Sequence, residues 1–265
     1  NPPPHDPLDA NSDSNFFIPP KAANGTAPKV GLIVKKDAAG AWRDDNGADW
    51  TPWISGAKST LSGRPAGWDV IDRDVAIINT STLAVTYAER LMNICMALAV
   101  NPASGEITVV GTDGTNEIRF EPVIGGLFLR VNMGIVNAAN PAIKNVIDLN
   151  AEHLALAQPG GVDPYETPTV PQSERDKSIG DPRGIVWNSA GTRGYITGMG
   201  SNNLIVVNAA GQRLAIGATT ELREGPTGLA LSADESRLFV LNRFDGSISV
   251  VDTTSLTEVA NVPFF

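Results

Sequence analysis

Two stretches of the chain carry the same order of turn and apolar residues: Gly180-Asp181-Pro182-Arg183-Gly184-Ile185-Val186-Trp187 and Gly225-Pro226-Thr227-Gly228-Leu229-Ala230-Leu231. A shift of 44 positions superposes further residues, and these pairs are Pro182 on Pro226, Gly184 on Gly228, Tyr195 on Phe239, Val206-Val207 on Val250-Val251 and Asn208 on Asp252. Chance rarely matches turn and apolar positions together. The segment from Gly180 to Pro263 is therefore an internal repeat.

Each repeat alternates short apolar runs with turn residues, which excludes helical repeats. A period near 44 residues is typical of a four-stranded propeller blade. In the second repeat we expect strands at 227–231, 237–242, 247–252 and 257–262. In the first we expect them at 183–187, 193–197, 203–208 and 213–218. The fold class predicted is all-β, a β-propeller of four-stranded blades.

The run Arg237-Leu-Phe-Val-Leu-Asn-Arg-Phe-Asp-Gly-Ser-Ile-Ser-Val-Val-Asp252 resembles the YVTN-type β-propeller repeat. The wider match covers residues 28–265 and resembles a bacterial group whose propeller is often continued by a c-type cytochrome, peroxidase-like domain. The resemblance implies a seven-bladed propeller and an exported, periplasmic or extracellular protein. It says little about function, because propellers serve binding proteins, oxidoreductases and hydrolases alike.

About four blade units can be read along the chain. Residues 1–28 form a Pro-rich N-terminal linker, and residues 29–265 form the propeller blades. A strand at 29–34 and the closing strands at 74–87 make one blade, split by an insertion around 37–72. A second blade spans 97–123, with strands at 107–111 and 117–120, and a further strand follows at 127–136. Residues 137–179 depart from the repeat and indicate another insertion.

Four units do not close a seven-bladed ring, and closure is what removes exposed sheet edges. We therefore expect the chain to be the middle of a longer polypeptide, with a compact four-bladed ring as the alternative.

The composition is that of a globular protein rich in turns, with 26 Gly and 19 Pro. The net charge of -9 argues against a nucleic-acid or anionic-membrane partner and suits a cationic protein partner or bound cations. No apolar run approaches the roughly 18 residues that a membrane span needs.

Cysteine and histidine are too scarce for most metal or haem chemistry. Cys95 is the only cysteine, which leaves no intramolecular disulfide and no Cys-x-x-Cys-His haem attachment motif. We expect it to be a small buried side chain. The two histidines, His5 and His153, lie far apart in the sequence, so a histidine triad is not expected. We predict no cofactor in this chain other than calcium.

The calcium prediction rests on Asp9, Asn11 and Asp13, which place oxygen ligands at alternate positions. The pattern departs from an EF-hand, because Ser14 stands where that loop needs glycine and Pro20 where it needs glutamate. The alternative is a solvated linker rich in Asx turns.

Four of the five tryptophans, Trp42, Trp50, Trp53 and Trp68, fall within the first insertion. Tryptophan offers a large rigid contact area, so these residues predict an aromatic platform for a partner protein or a sugar. The alternative is that the rings fold back to cover the propeller.

Two functions remain open. The first is a non-catalytic binding or scaffold module, which presents its loops to a protein partner or to other domains of its own polypeptide. The second, implied by the resemblance, is the propeller portion of a haem-linked periplasmic oxidoreductase or electron-transfer protein. In that case the c-type haem would be held by a C-terminal continuation outside these residues.

Overall fold

The computed structural model describes residues 34–44, 49–63, 65, 68–114, 129–156 and 171–264. These residues fall into two compact units, the first holding 34–74 and the second nearly all of the others.

Among its described residues, the second unit contains three four-stranded antiparallel sheets, each a meander in chain order, and one two-stranded sheet. Blade A contains β5 (Ile94–Val100), β6 (Ile107–Gly114), β7 (Leu129–Val136) and β8 (Lys144–Asp148). Blade B contains β9 (Pro182–Trp187), β10 (Gly194–Gly198), β11 (Asn203–Val207) and β12 (Thr220–Glu221). Blade C contains β13 (Pro226–Leu231), β14 (Arg237–Asn242), β15 (Ser247–Asp252) and β16 (Thr257–Pro263).

The blades pack face to face with their first strands side by side, because β9 lies against both β5 and β13. One hydrophobic cluster joins blades A and B, with Val110 and Met133 against Ile196 and Val207. A second joins blades B and C. Radially arranged four-stranded meanders whose inner strands adjoin are the architecture of a β-propeller, so the predicted fold class is confirmed.

The half-blade, β3 (Val75–Ile78) paired with β4 (Val85–Ala88), precedes blade A. Its residues Val75, Ile77 and Ala88 pack with Ile107 and Val109 of blade A. These two strands were predicted from the sequence as the closing strands of a blade, at residues 74–87.

Two strand predictions differ from the structure. The outer strand of blade B is Thr220–Glu221 rather than 213–218, because Gly217 adopts a positive φ and Arg213 turns its side chain inward. Lys144–Asp148, which the sequence placed in an insertion, pairs with β7 as the outer strand of blade A. The strand predicted at 117–120 lies outside the described residues.

In the part of the chain that the structure describes, three short helices accompany the sheets: α1 (Thr51–Ile54), α2 (Ala151–Leu156) and α3 (Gln172–Arg175). The first unit contains α1, a 3₁₀ turn at Ser59–Ser62 and the hairpin of β1 (Val34–Lys36) with β2 (Trp42–Asp44). Among the described residues, no helix is long and apolar enough to span a membrane.

Candidate functional site

The anchored segment, residues 171–180, leads from α3 into blade B. Pro171 is the N-cap residue of α3, where its missing N–H costs no helical hydrogen bond. Glu174 and Lys177 form an ion pair of 2.7 Å along the segment. Its last residues then run over the edge of blade B.

Asn150 fixes the far end of this segment. Its side-chain amide donates to the Ile179 carbonyl and accepts from the Ile179 N–H, both at 2.9 Å. A side chain thus replaces the two hydrogen bonds that a neighbouring strand would make. Because both residues are buried, these bonds are shielded from competition by water.

The buried guanidinium of Arg213 joins the segment to the two residues that precede α2. Its Nε donates to the Leu149 carbonyl at 2.9 Å, its Nη1 to the Lys177 carbonyl at 2.8 Å and its Nη2 to Asn150 Oδ1 at 2.9 Å. The planar fork of donors thereby satisfies three acceptors on two pieces of chain.

A second chain of hydrogen bonds joins the segment to blade B. Asn203 donates to the Ser178 carbonyl at 2.9 Å and accepts from the Ser201 hydroxyl at 2.6 Å. The Ser201 oxygen also accepts from the Gly180 N–H at 2.8 Å. The segment is consequently held at each of its last four residues, from Lys177 to Gly180.

A polar pocket of about 400 Å³ opens between the anchored segment and the edge of blade B. It is lined by Arg175, Asp176, Ser178, Gly200, Ser201, Asn203, Thr219 and Glu221. Arg175 and Glu221 are exposed, so the rim carries both signs of charge. The pocket can therefore receive a polar side chain or a small polar ligand through hydrogen bonds and charge.

His153 lies beneath this region, almost fully buried, with Nε2 3.1 Å from the Ser178 hydroxyl. Burial lowers the pKa of His153 to about 4, and the nearby Arg213 and Lys177 lower it too, against an opposing effect of Glu174. The imidazole is therefore neutral near pH 7.

A pH dependence follows from this pKa. Because the folded-state pKa lies below the ordinary value of 6.5, His153 favours the folded state above that value. This contribution is lost as the pH falls from about 6.5 to about 4, and amounts to about 3 kcal/mol. Urea unfolding at several pH values in this range should show that the free energy of unfolding falls more steeply with decreasing pH in the native chain than in His153→Gln. The same pH dependence of the unfolding free energy in both proteins would contradict the lowered pKa of His153.

The predicted tryptophan platform lies in the first unit, and most of it is internal. Trp42 and Trp50 are buried with Ile54, and Trp68 packs against them. Trp53 is half-buried and lies under the Lys58 ammonium, 4.6 Å from its ring centroid. The structure thus brings Trp42, Trp50 and Trp68 together as a small core.

Asp69 ties this core to the hairpin. Its carboxylate accepts from Trp42 Nε1 at 2.9 Å and from Lys36 Nζ at 2.8 Å. Burial raises the pKa of Asp69, but these two hydrogen bonds outweigh it and hold the pKa below its usual value.

Replacing Trp50 by alanine is expected to loosen this unit, because removing a large buried side chain costs about 3–5 kcal/mol. Limited proteolysis should cut the variant faster within residues 34–63 than it cuts the native chain. Trp53→Ala is the control and should change the rate far less, since its ring is half-buried. A Trp50→Ala variant that resists protease like the native chain would contradict a structural role.

The predicted calcium ligands Asp9, Asn11 and Asp13 lie outside the described residues. Within the described ranges, no group of three or more His, Cys, Asp or Glu side chains is placed to hold a metal ion. Cys95 is half-buried and packs against the cluster between the half-blade and blade A.

The anchoring residues Arg213, Asn150 and Asn203 were not predicted as functional. Asn150 precedes the apolar-periodic run of α2, which is a helix-start signal. The partners of Arg213 lie 36 to 64 residues away, so no local pattern identifies it.

No family model and no curated protein matches the chain. Among solved structures it is similar to a virginiamycin B lyase from Staphylococcus aureus, with 17% identity, a TM-score of 0.44, and coverage of 71% of this chain and 48% of the other. It is also similar to Kuenenia stuttgartiensis hydrazine synthase, with 16% identity, a TM-score of 0.48, and coverage of 70% and 53%. For the periplasmic gluconolactonase of Pseudomonas aeruginosa the identity is 12%, the TM-score 0.46, and the coverage 72% and 48%.

The chain spans about half the length of these proteins. At these TM-scores the likeness carries no inference about activity or substrate. The propeller assignment rests on the geometry of blades A, B and C.

Proposed function

We propose that this chain is a β-propeller binding or scaffold module of an exported protein, which presents the anchored segment and its pocket to a protein partner. The observation that carries the proposal is the hydrogen-bond network of Arg213, Asn150 and Asn203. It fixes a connecting segment onto a sheet edge, leaving charged and polar groups at the rim.

A binding surface loses less conformational entropy on association when its residues are already held in place. Association costs about 0.5–1.5 kcal/mol for each flexible side chain that it orders. A segment whose end is already held in place, as residues 177–180 are, avoids part of that cost. Loops positioned by a rigid scaffold are also where recognition is commonly located.

Site-specific photo-crosslinking tests the proposal. A benzoylphenylalanine at position 175, on the rim, is compared with one at position 243, where Arg243 is exposed in the turn between β14 and β15. In periplasmic extract from the source organism, position 175 should give one dominant crosslinked polypeptide, and unlabelled protein should compete for it. The same products from both positions would contradict the proposal.

The haem-linked alternative concerns residues outside this chain. There the propeller would dock or shield a c-type haem domain of a periplasmic oxidoreductase or electron-transfer protein. It predicts a Soret band in the visible spectrum of the protein purified from its source. A colourless native protein would reject this alternative and leave the binding module.

The calcium site at Asp9, Asn11 and Asp13 remains a proposal from the sequence. Calorimetric titration with Ca²⁺ should show binding that Asp9→Asn with Asp13→Asn abolishes. Equal heats from native and substituted chains would reject it.

A further inference from the structure

The imidazole of His153 is enclosed by α2, the anchored segment and the turns at 213–218. It is 2% exposed, its Nε2 lies 3.1 Å from the Ser178 hydroxyl, and Gly217 packs beside its Cβ. Its Nδ1 is buried and has no hydrogen-bond partner at an ordinary distance. An imidazolium carries hydrogen on both ring nitrogens, so protonation in this place would bury one N–H without an acceptor.

The charged groups around the ring also oppose a second proton. Those that face it are Arg213, from the turns, and Glu174 and Lys177, from the anchored segment. Glu152, its neighbour on α2, is exposed. Glu174 and Lys177 form an ion pair and act on the ring in opposite directions, whereas the buried Arg213 guanidinium repels the charged ring. Protonation therefore requires that water reach the imidazole.

The end of the anchored segment can leave the ring without any strand pairing being broken. In the described part of the chain, the hydrogen bonds that join residues 177–179 to α2, to the residues before it and to blade B all involve side chains. Those that hold the backbone come from Arg213, Asn203 and Asn150. Lifting this end exposes one large apolar side chain, Ile179, and that burial opposes release while the ring is neutral.

We propose that protonation of His153 releases residues 177–179 from blade B, so that the pocket loses one of its walls in acid. Ser178 connects the two events, because it contacts the ring and also lines the pocket. Arg175 and Asp176 of the rim precede it in the same segment and move with it. Acid control of partner binding rests on the function proposed above, whereas the release itself does not.

Amide hydrogen exchange of the full chain, followed by NMR between pH 7 and pH 4, tests the release. The protection factor corrects for the exchange rate of an unstructured peptide at the same pH. It should fall about 100-fold at Ile179, because burial and Arg213 lower the pKa of His153 from 6.5 to about 4 and each unit allows a tenfold change. A release that breaks no strand pairing exposes little surface. Exchange at Ile179 should therefore respond weakly to low concentrations of urea, and exchange in β14 strongly.

His153→Gln is the matched variant, because glutamine can hydrogen-bond to Ser178 but does not titrate. Its protection at Ile179 should change with pH far less than that of the native chain. The native chain also decides the matter alone, in case the variant does not fold. The pH midpoint at which Ile179 loses protection must coincide with the titration of the His153 ring, which its own proton resonances report.

Three results would overturn the release. The first is protection at Ile179 that does not depend on pH, and the second is a midpoint away from the titration of His153. The third is equal protection and equal urea response at Ile179 and in β14, which would mean that acid unfolds the whole unit.

Photo-crosslinking at position 175 separates the release from the proposed function. If both hold, acid abolishes the partner crosslink of the native chain, and His153→Gln retains it. Loss of protection at Ile179 without a specific crosslink at any pH would reject the binding module and leave the release. A specific crosslink with no acid response at Ile179 would do the opposite.

Discussion

Gly184→Val is expected to destabilise the second unit by about 3 kcal/mol or more. Valine needs space at Cβ, and that space is occupied by the Thr227 carbonyl oxygen of the adjacent inner strand. The Thr197 hydroxyl, which donates to the same carbonyl at 2.8 Å, lies close to it as well. Backbone atoms at a blade junction cannot move aside without parting the blades, so the cost lies at or above the usual 1–3 kcal/mol of overpacking. Urea unfolding followed by the circular dichroism of the β-sheets would measure it.

Gly228→Val is the matched control, because it changes the same repeat position in blade C. Nothing lies closer than 3.9 Å to the added Cβ, and valine favours strands. We expect the free energy of unfolding to change by at most about 0.5 kcal/mol in either direction. Equal losses from Gly184→Val and Gly228→Val would mean that close inner-strand packing is not what requires the glycine.

The two glycines also show how much of the fold the sequence predicts. The repeat predicts that both positions lie in inner strands, and both do. Turn residues such as Gly246, together with the alternation of Ile248 and Val250 with serines, gave the bounds of β14 and β15 as the structure has them. Local periodicity and turn chemistry determine these elements, so a single sequence contains them.

Elements whose form depends on distant partners were less predictable. Residues 213–218 contain Leu214 and Ile216, which suggested a strand, but both side chains are exposed in turns. What determines this region is Arg213, whose partners lie just before α2 and in the anchored segment. The sequence likewise showed how many tryptophans there are, but not that three of them pack around Ile54. Composition identifies residues suited to either a core or a surface, and tertiary contacts decide between them.

Arg213→Met is expected to cost about 3–5 kcal/mol, because it leaves buried partners without their donor. The Leu149 and Lys177 carbonyls and Asn150 Oδ1 each lose a hydrogen bond from the guanidinium. A buried acceptor without a donor costs about 1–3 kcal/mol, and methionine fills the volume without supplying one. The anchored segment should also open locally. Amide hydrogen exchange at Ile179, whose N–H donates to Asn150, should therefore quicken more than exchange in β14.

Arg183→Met separates this effect from the loss of a positive charge. Arg183 is exposed and pairs with Asp181 at 3.0 Å, so its removal should cost at most about 1 kcal/mol and leave exchange at Ile179 unchanged. If both arginine variants unfold at the same urea concentration, the buried network does not hold the segment. If Arg213→Met lowers stability but Ile179 exchanges no faster than β14, Arg213 supports the blade as a whole. The pocket rim would then owe its position to Asn150, Asn203 and Ser201, whose hydrogen bonds to the segment would remain.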